Sequence, residues 1–156
     1  ITAWGPTALL PVFQLLGTDY KYKNINSLLL DSAENFDLFT KIDFTYQNAV
    51  ASIKVGKGVK SEGELIISGT KGYIYVPAPW WKTDYFEIRF ENQNENKKYF
   101  YQLDGEGIRY EFVAFIKSIE LNKTGSYIDI NISKEISSVM EDFNNNKFNN
   151  LWWTYS

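Results

Sequence analysis

The spacing of apolar residues changes period twice along this chain, and the changes divide it into elements. From Pro6 to Leu16, Leu9, Leu10, Phe13 and Leu16 recur at helical spacing. Thr7 or Gly5 is placed to cap the start and Gly17 to end the helix. Pro11 inside it predicts a kink or a later true start. From Asp19 the pattern alternates, with Tyr20 and Tyr22 on one face and Lys21 and Lys23 on the other. It then closes on Leu28, Leu29 and Leu30, a strand with one buried end. Leu38, Ile42, Phe44 and Tyr46 alternate with Lys41, Asp43 and Thr45. After Gln47-Asn48 the same period continues through Ala49, Ala51, Ile53 and Val55, so the two runs predict a hairpin.

The stretch from Gly63 to Trp81 predicts a second hairpin. Glu64–Ser68 and Tyr73–Val76 are short β-branched and aromatic runs. The glycines of Gly69-Thr70-Lys71-Gly72 permit the positive φ of a tight connection. Pro77 and Pro79 stop the second strand and deliver Trp80 and Trp81 to a sheet edge. Phe86, Ile88 and Phe90 alternate with Glu87 and Arg89, and after a polar loop Lys98 to Leu103 returns as a strand, a third hairpin. The period then lengthens. Ile108, Phe112, Phe115, Ile116 and Ile119 share a helical face between Asp104 or Gly105 and Gly125. A last helix, capped by Asn131 or Ser133, buries Ile136, Val139, Met140 and Phe143. Three hairpins followed by two helices predict one α+β domain over residues 1–156. Its core is an open, mainly antiparallel sheet of about six strands with helices packed on one face.

Composition narrows the chemistry. The chain has neither cysteine nor histidine, which removes disulfides, thiolate metal sites, the imidazole general base and the commonest metal ligand. Net charge is −3 with the two signs interleaved, which argues against a nucleic-acid partner. The longest apolar run, Ala8–Leu16, is broken by Pro11 and Gln14 and is too short to span a membrane. No signal-peptide pattern opens the chain, so a cytoplasmic location is expected. A first residue of Ile suggests a fragment or a processed chain. Five Trp, eleven Tyr and eleven Phe suit pleated surfaces, interfaces and sugar-stacking sites alike.

The order of these segments resembles the C-terminal domain of the Gfo/Idh/MocA oxidoreductases, the family of glucose-fructose oxidoreductase and inositol dehydrogenase. GELIISGTKGYIYVP and GIRYEFVAFIKSI carry most of the likeness, and SKEISSVMEDF matches the family's last helix. The resemblance implies a split enzyme. A Rossmann domain, missing from this chain, would bind NAD or NADP and carry a catalytic lysine. This chain would supply a wall of the pocket for a sugar-like small molecule, and a homo-oligomer contact through its open sheet face. No cofactor-binding or catalytic residue is therefore expected here. The family's Asp-x-Gly-x-His/Tyr signature falls on Ala3-Trp4-Gly5-Pro6-Thr7, where only Gly5 matches. A threonine hydroxyl cannot take a proton as imidazole does.

The expected substrate-side residues are Trp4, Gly5, Thr7, Trp80, Trp81, Lys82, Arg109 and Tyr110. Each has a plainer reading: Thr7 as a helix cap, Trp80 and Trp81 as packing or interface residues, Glu111 as a first-turn carboxylate beside Arg109 and Tyr110. Trp152 and Trp153 read as interface or lid residues. The rival functions are a stand-alone carbohydrate-binding module and a self-associating sheet.

Overall fold

The computed structural model describes residues 1, 3–30, 36–105, 107–122 and 127–153. They form two compact units, Ile1–Ser61 with Gly125–Ser156, and Glu62–Thr124. The first contains helix α1 (Gly5–Leu16), strands β1 (Tyr22–Leu30), β2 (Asp37–Thr45) and β3 (Val50–Gly56), helix α3 (Ile130–Asn144) and strand β8 (Asn149–Trp153). The second contains β4 (Leu65–Ser68), β5 (Gly72–Val76), β6 (Tyr85–Phe90), β7 (Lys97–Phe100) and α2 (Ile108–Glu120).

The α+β class and the dominance of antiparallel pairing are as the periodicities predict. The strands, however, form two four-stranded sheets, ordered β3-β2-β1-β8 and β4-β5-β6-β7, in place of one sheet of about six. The polar loop after β3 explains the division. Gly58 N–H donates to the Leu38 carbonyl at 3.0 Å, and a Cβ on Gly56 would lie 2.9 Å from that same oxygen. The loop thus folds back onto β2, and β4 opens a new ladder.

In the first unit the alternation places Ile25, Ser27 and Leu29 beside Thr40, Ile42 and Phe44, and these beside Ile53 and Val55, on the face that carries the helices. Leu9 and Phe13 of α1 and Val139 of α3 close the core. Phe13 meets the Phe44 ring edge-on with centroids 5.4 Å apart, and Tyr20 meets Phe44 at 5.1 Å. The buried hydroxyls of Ser27 and Thr40 satisfy each other at 2.8 Å. Helix α1 runs through Pro11 and ends at Gly17, whose φ is 77°. No side chain caps its start, so Thr7, in the first turn, is not the cap. The Ile1 carbonyl takes that place, accepting from Trp4 and Gly5 N–H at 3.2 and 2.7 Å. Helix α3 is capped by Asp129 and not by Asn131 or Ser133, because the carboxylate reaches the Asn131 N–H at 2.7 Å.

β8 has no alternating apolar signature and was not expected. It runs parallel to β1, and Asn149 Nδ2 donates to both Asn24 and Asn26 Oδ1 at 3.0 Å, which pins its register.

In the second unit one sheet face carries Leu65, Ile67, Ile74, Val76, Phe86, Ile88 and Phe90. None of the unit's described residues is buried. Helix α2 forms where the period predicts it, yet its apolar positions Ile108, Phe112, Phe115, Ile116 and Ile119 are 51–63% exposed. The period predicts which residues share a helical face, whereas burying that face requires a partner.

Candidate functional site

Gly5 opens α1, and a Cβ there would come within 2.8 Å of Ile1 Cγ1 and 3.0 Å of Met140 Sδ. The glycine thus seats the start of α1 against α3, while Trp4 before it and Thr7 after it are exposed. Trp80, Trp81 and Lys82 follow a cis peptide bond between Ala78 and Pro79. Trp80 N–H donates to the Gly63 carbonyl at 3.0 Å and Lys82 N–H to the Pro79 carbonyl at 2.9 Å, which fixes a tight bend. The two indoles meet edge to face at 90° with centroids 6.0 Å apart, so they do not share a plane on which one sugar ring could stack. Arg109 pairs with Asp104 at 2.5 Å, and the Tyr110 hydroxyl accepts from Asp104 N–H at 3.0 Å. Asp104, Arg109 and Tyr110 therefore form a clasp at the head of α2. The eight expected residues form three local clusters: Trp4, Gly5 and Thr7 in the first unit, and the Trp80–Lys82 and Arg109–Tyr110 clusters in the second.

Two polar constellations escaped the sequence reading. In the first unit Tyr20 donates to Glu135 at 2.6 Å, and Lys23 pairs with Asp142 at 2.6 Å, as does Lys147 at 2.9 Å. Burial first, and then Glu135, pushes the Tyr20 phenol well above its ordinary range. The same causes push Tyr46 up to about 12. Both phenols therefore stay protonated at neutral pH, Tyr46 donating to the Gly17 carbonyl at 2.9 Å, and neither serves as a base. In the second unit the sheet face opposite the apolar one carries Tyr73, Tyr75, Tyr85, Glu87, Arg89, Lys98 and Phe100. Arg89 stacks over Tyr75 at 4.4 Å and pairs with Glu87 at 2.6 Å, while Lys98 stacks over Tyr85 at 3.6 Å. The Tyr73 hydroxyl, then Glu87, holds the Arg89 pKa above its ordinary value. Alternation alone could have revealed this second face. No local signal joins Lys23 to Asp142.

Asp142 carries a pH dependence. Its hydrogen bonds to Lys23, then Lys147, hold its carboxyl below the usual range. A depressed folded pKa means that this contribution is present above the unfolded value, about 3.9, and is lost as pH falls through the folded one. Asp142→Asn is expected to cost about 1 kcal/mol at pH 7 and progressively less as the pH falls through the depressed folded pKa, measured as urea midpoints across the acid range.

No group of three or more metal-ligating side chains occurs among the described residues. A nicotinamide dinucleotide needs a strand that runs into a glycine turn and a free helix N-terminus. Gly69 and Gly72 instead join two strands. The start of α1 is taken by the Ile1 carbonyl, and that of α3 by the Asp129 carboxylate. The start of α2 follows a bend at Gly105 and Gly107 and faces the Asp104–Arg109 pair. The described residues do not fit the cofactor.

No helix among the described residues is long and apolar enough to cross a membrane. No protein-family model matches the sequence, and no curated protein matches it at a significant level. Solved structures do share its fold. A 3-ketoreductase from Actinomadura kijaniata, KijD10, in complex with TDP-benzene and NADP, matches 97% of this chain at a TM-score of 0.74 and 9% identity. A biliverdin reductase from Synechocystis sp. PCC 6803, in complex with biliverdin and NADP+, matches 87% at 0.68 and 12% identity. The YPO2259 protein of Yersinia pestis matches 98% at 0.64 and 13% identity. This chain spans 48%, 42% and 50% of those three chains, about half their length. At the level of fold, the resemblance to Gfo/Idh/MocA-type oxidoreductases holds.

Proposed function

We propose that this chain is the substrate-side and assembly domain of an NAD(P)-dependent oxidoreductase of the Gfo/Idh/MocA kind, acting in the cytoplasm on a sugar or cyclitol. The observation that carries the reading is a fold match over 97% of this chain to 48% of an NADP-bound ketoreductase. In this reading the cofactor half would be supplied by another part of the protein. Solved neighbours reduce chemically different compounds by name, a ketone in one and biliverdin in another. The sugar or cyclitol assignment therefore rests on the sequence resemblance and not on the fold.

In this reading the chain's own residues bind and assemble, and they do not transfer protons. The candidate substrate-side residues are Trp4, Gly5 and Thr7 in the first unit and, separately, Trp80, Trp81, Lys82, Arg109 and Tyr110 in the second. Thr7 offers a hydroxyl for a hydrogen bond to a substrate hydroxyl, and its pKa keeps it from acting as a base. The half-buried apolar face around Ile74, Phe86 and Ile88 is the surface assigned to a second copy, because a large apolar face favours association. A stand-alone carbohydrate module fits less well, since the Trp80 and Trp81 rings stand at 90° instead of presenting a common platform.

Calorimetric titration of NADPH into this chain is expected to give no binding at micromolar concentration. The parent reading frame, expressed whole, is expected to bind NADPH and to reduce NADP+ with a hexose or cyclitol, followed at 340 nm. Tight NADPH binding by the chain alone, or a parent frame that lacks a nicotinamide-binding half, would overturn the reading.

A further inference from the structure

Three strands of the first unit are held by buried side chains: Ile25, Ser27 and Leu29 in β1, Thr40, Ile42 and Phe44 in β2, and Ile53 and Val55 in β3. β8 is not. It is the end strand in the order β3-β2-β1-β8, and all five of its residues are exposed, Leu151, Trp152 and Trp153 by 49–58%. What fastens it is polar. A parallel ladder joins it to Asn26–Leu30 of β1, and the Asn149 Nδ2 donates to Asn24 and Asn26 Oδ1, each at 3.0 Å.

The segment just before β8 is built differently. Asn146, with a φ of 57°, turns the chain at the end of α3, and its N–H donates to the Phe143 carbonyl at 2.9 Å. Lys147 is tied to Asp142 twice, by its N–H to the carbonyl and by its Nζ to the carboxylate, both at 2.9 Å. Asp142 in turn holds Lys23 of β1 at 2.6 Å. Phe148 stacks on Phe143 with ring centroids 4.5 Å apart and packs against the core. Side-chain anchorage therefore ends at Phe148, one residue before β8 begins.

We propose that β8 is a strap that opens and closes as a unit about Phe148, with Asn149 as its latch, while α3 and its joint to β1 stay in place. Segments with few buried apolar contacts and exposed backbone hydrogen bonds open at a lower free energy than the core beside them. Each residue of β8 that orders loses conformational freedom. Little apolar burial offsets that loss, and the ladder and latch groups regain water as partner when the strap opens. Opening bares the outer edge of β1 from Asn26 to Leu30, so a pairing edge that the closed strap covers becomes available only transiently. The device lies within the first unit and does not depend on the proposed enzymatic role.

Native-state amide exchange tests it. The β8 amides are expected to exchange about tenfold or more faster than those of the β2–β3 ladder. Low urea should leave the β8 rates unchanged and accelerate the others, because a local opening exposes little new surface. Asn149→Ala should accelerate β8 exchange about tenfold and leave the α3 amides around Val139 as they were. Asp142→Asn loosens the joint instead, and should accelerate α3 and β8 together. β8 amides that share the urea dependence of β2, or an Asn149→Ala variant that exchanges like the parent chain, would overturn the proposal. So would an Asn149→Ala variant that frees α3 as much as β8, or an Asp142→Asn variant that frees β8 alone. Circular dichroism of both variants checks that the fold is retained.

Discussion

Phe13→Ala is expected to lower the stability of the first unit by about 3–5 kcal/mol, the range for truncating a fully buried phenylalanine. The side chain is 1% exposed, packs edge-on against Phe44 at 5.4 Å and lies near Tyr20 at 6.3 Å. No small shift of α1 fills the space, because Leu9 on the same helix is already fully buried and Gly5 is in close contact with Ile1 and Met140. The consequence reaches the candidate site, since α1 is the element that holds Trp4, Gly5 and Thr7. Urea unfolding followed by near-ultraviolet circular dichroism measures the loss. A change under about 1 kcal/mol would mean that this core does not organise the unit.

Gly72→Val should act on the second unit through a different cause. A Cβ at this position would stand 2.5 Å from the Arg89 carbonyl oxygen and 3.1 Å from the Phe90 ring. The Arg89 oxygen belongs to the paired strand, so relief requires β5 and β6 to part where Gly72 opposes Phe90 and Tyr73 opposes Arg89. Overpacking of this sort costs about 1–3 kcal/mol, and none of this unit's described residues is buried to offset it. Amide hydrogen exchange is the suitable measurement. Protection across β5 and β6 is expected to fall, while the amides of β1 and β2 remain protected. Unchanged exchange at β6 would show that the strands are not in this register.

Gly72 also shows how a correct element can be predicted for the wrong reason. The hairpin lies where the sequence places it, but neither Gly69 nor Gly72 has φ in the left-handed region. What position 72 requires is room for the neighbouring strand. The glycine signal is the same in both cases, and only the position of Arg89 distinguishes them. The helix caps follow a similar course. Thr7 has the right chemistry for the start of α1, yet a backbone carbonyl from Ile1 already occupies that position. Asp129 caps α3 two residues before the expected Asn131, because a side chain is competent to cap at several registers and only the backbone path selects one.

The polar groups that bind β1 to α3 were hidden for a topological reason. Lys23 and Asp142 are 119 residues apart, and neither departs from its local pattern. Nor does the sequence reveal β8, which is held beside β1 by Asn149 donating to Asn24 and Asn26.

The sequence by itself determined the elements and the chemistry they lack. Periods of two and 3.6 residues set the predicted strands and helices, because backbone geometry alone decides which side chains share a face. The absence of cysteine and histidine removed thiol and imidazole chemistry before any fold was known. The tertiary structure decided how those faces are used. It divided the strands between two sheets, buried Phe13 and Val139 while leaving Phe112 and Phe115 exposed, and set β8 at an open edge. Burial and strand order depend on contacts between distant segments, and no local pattern encodes which segment will arrive.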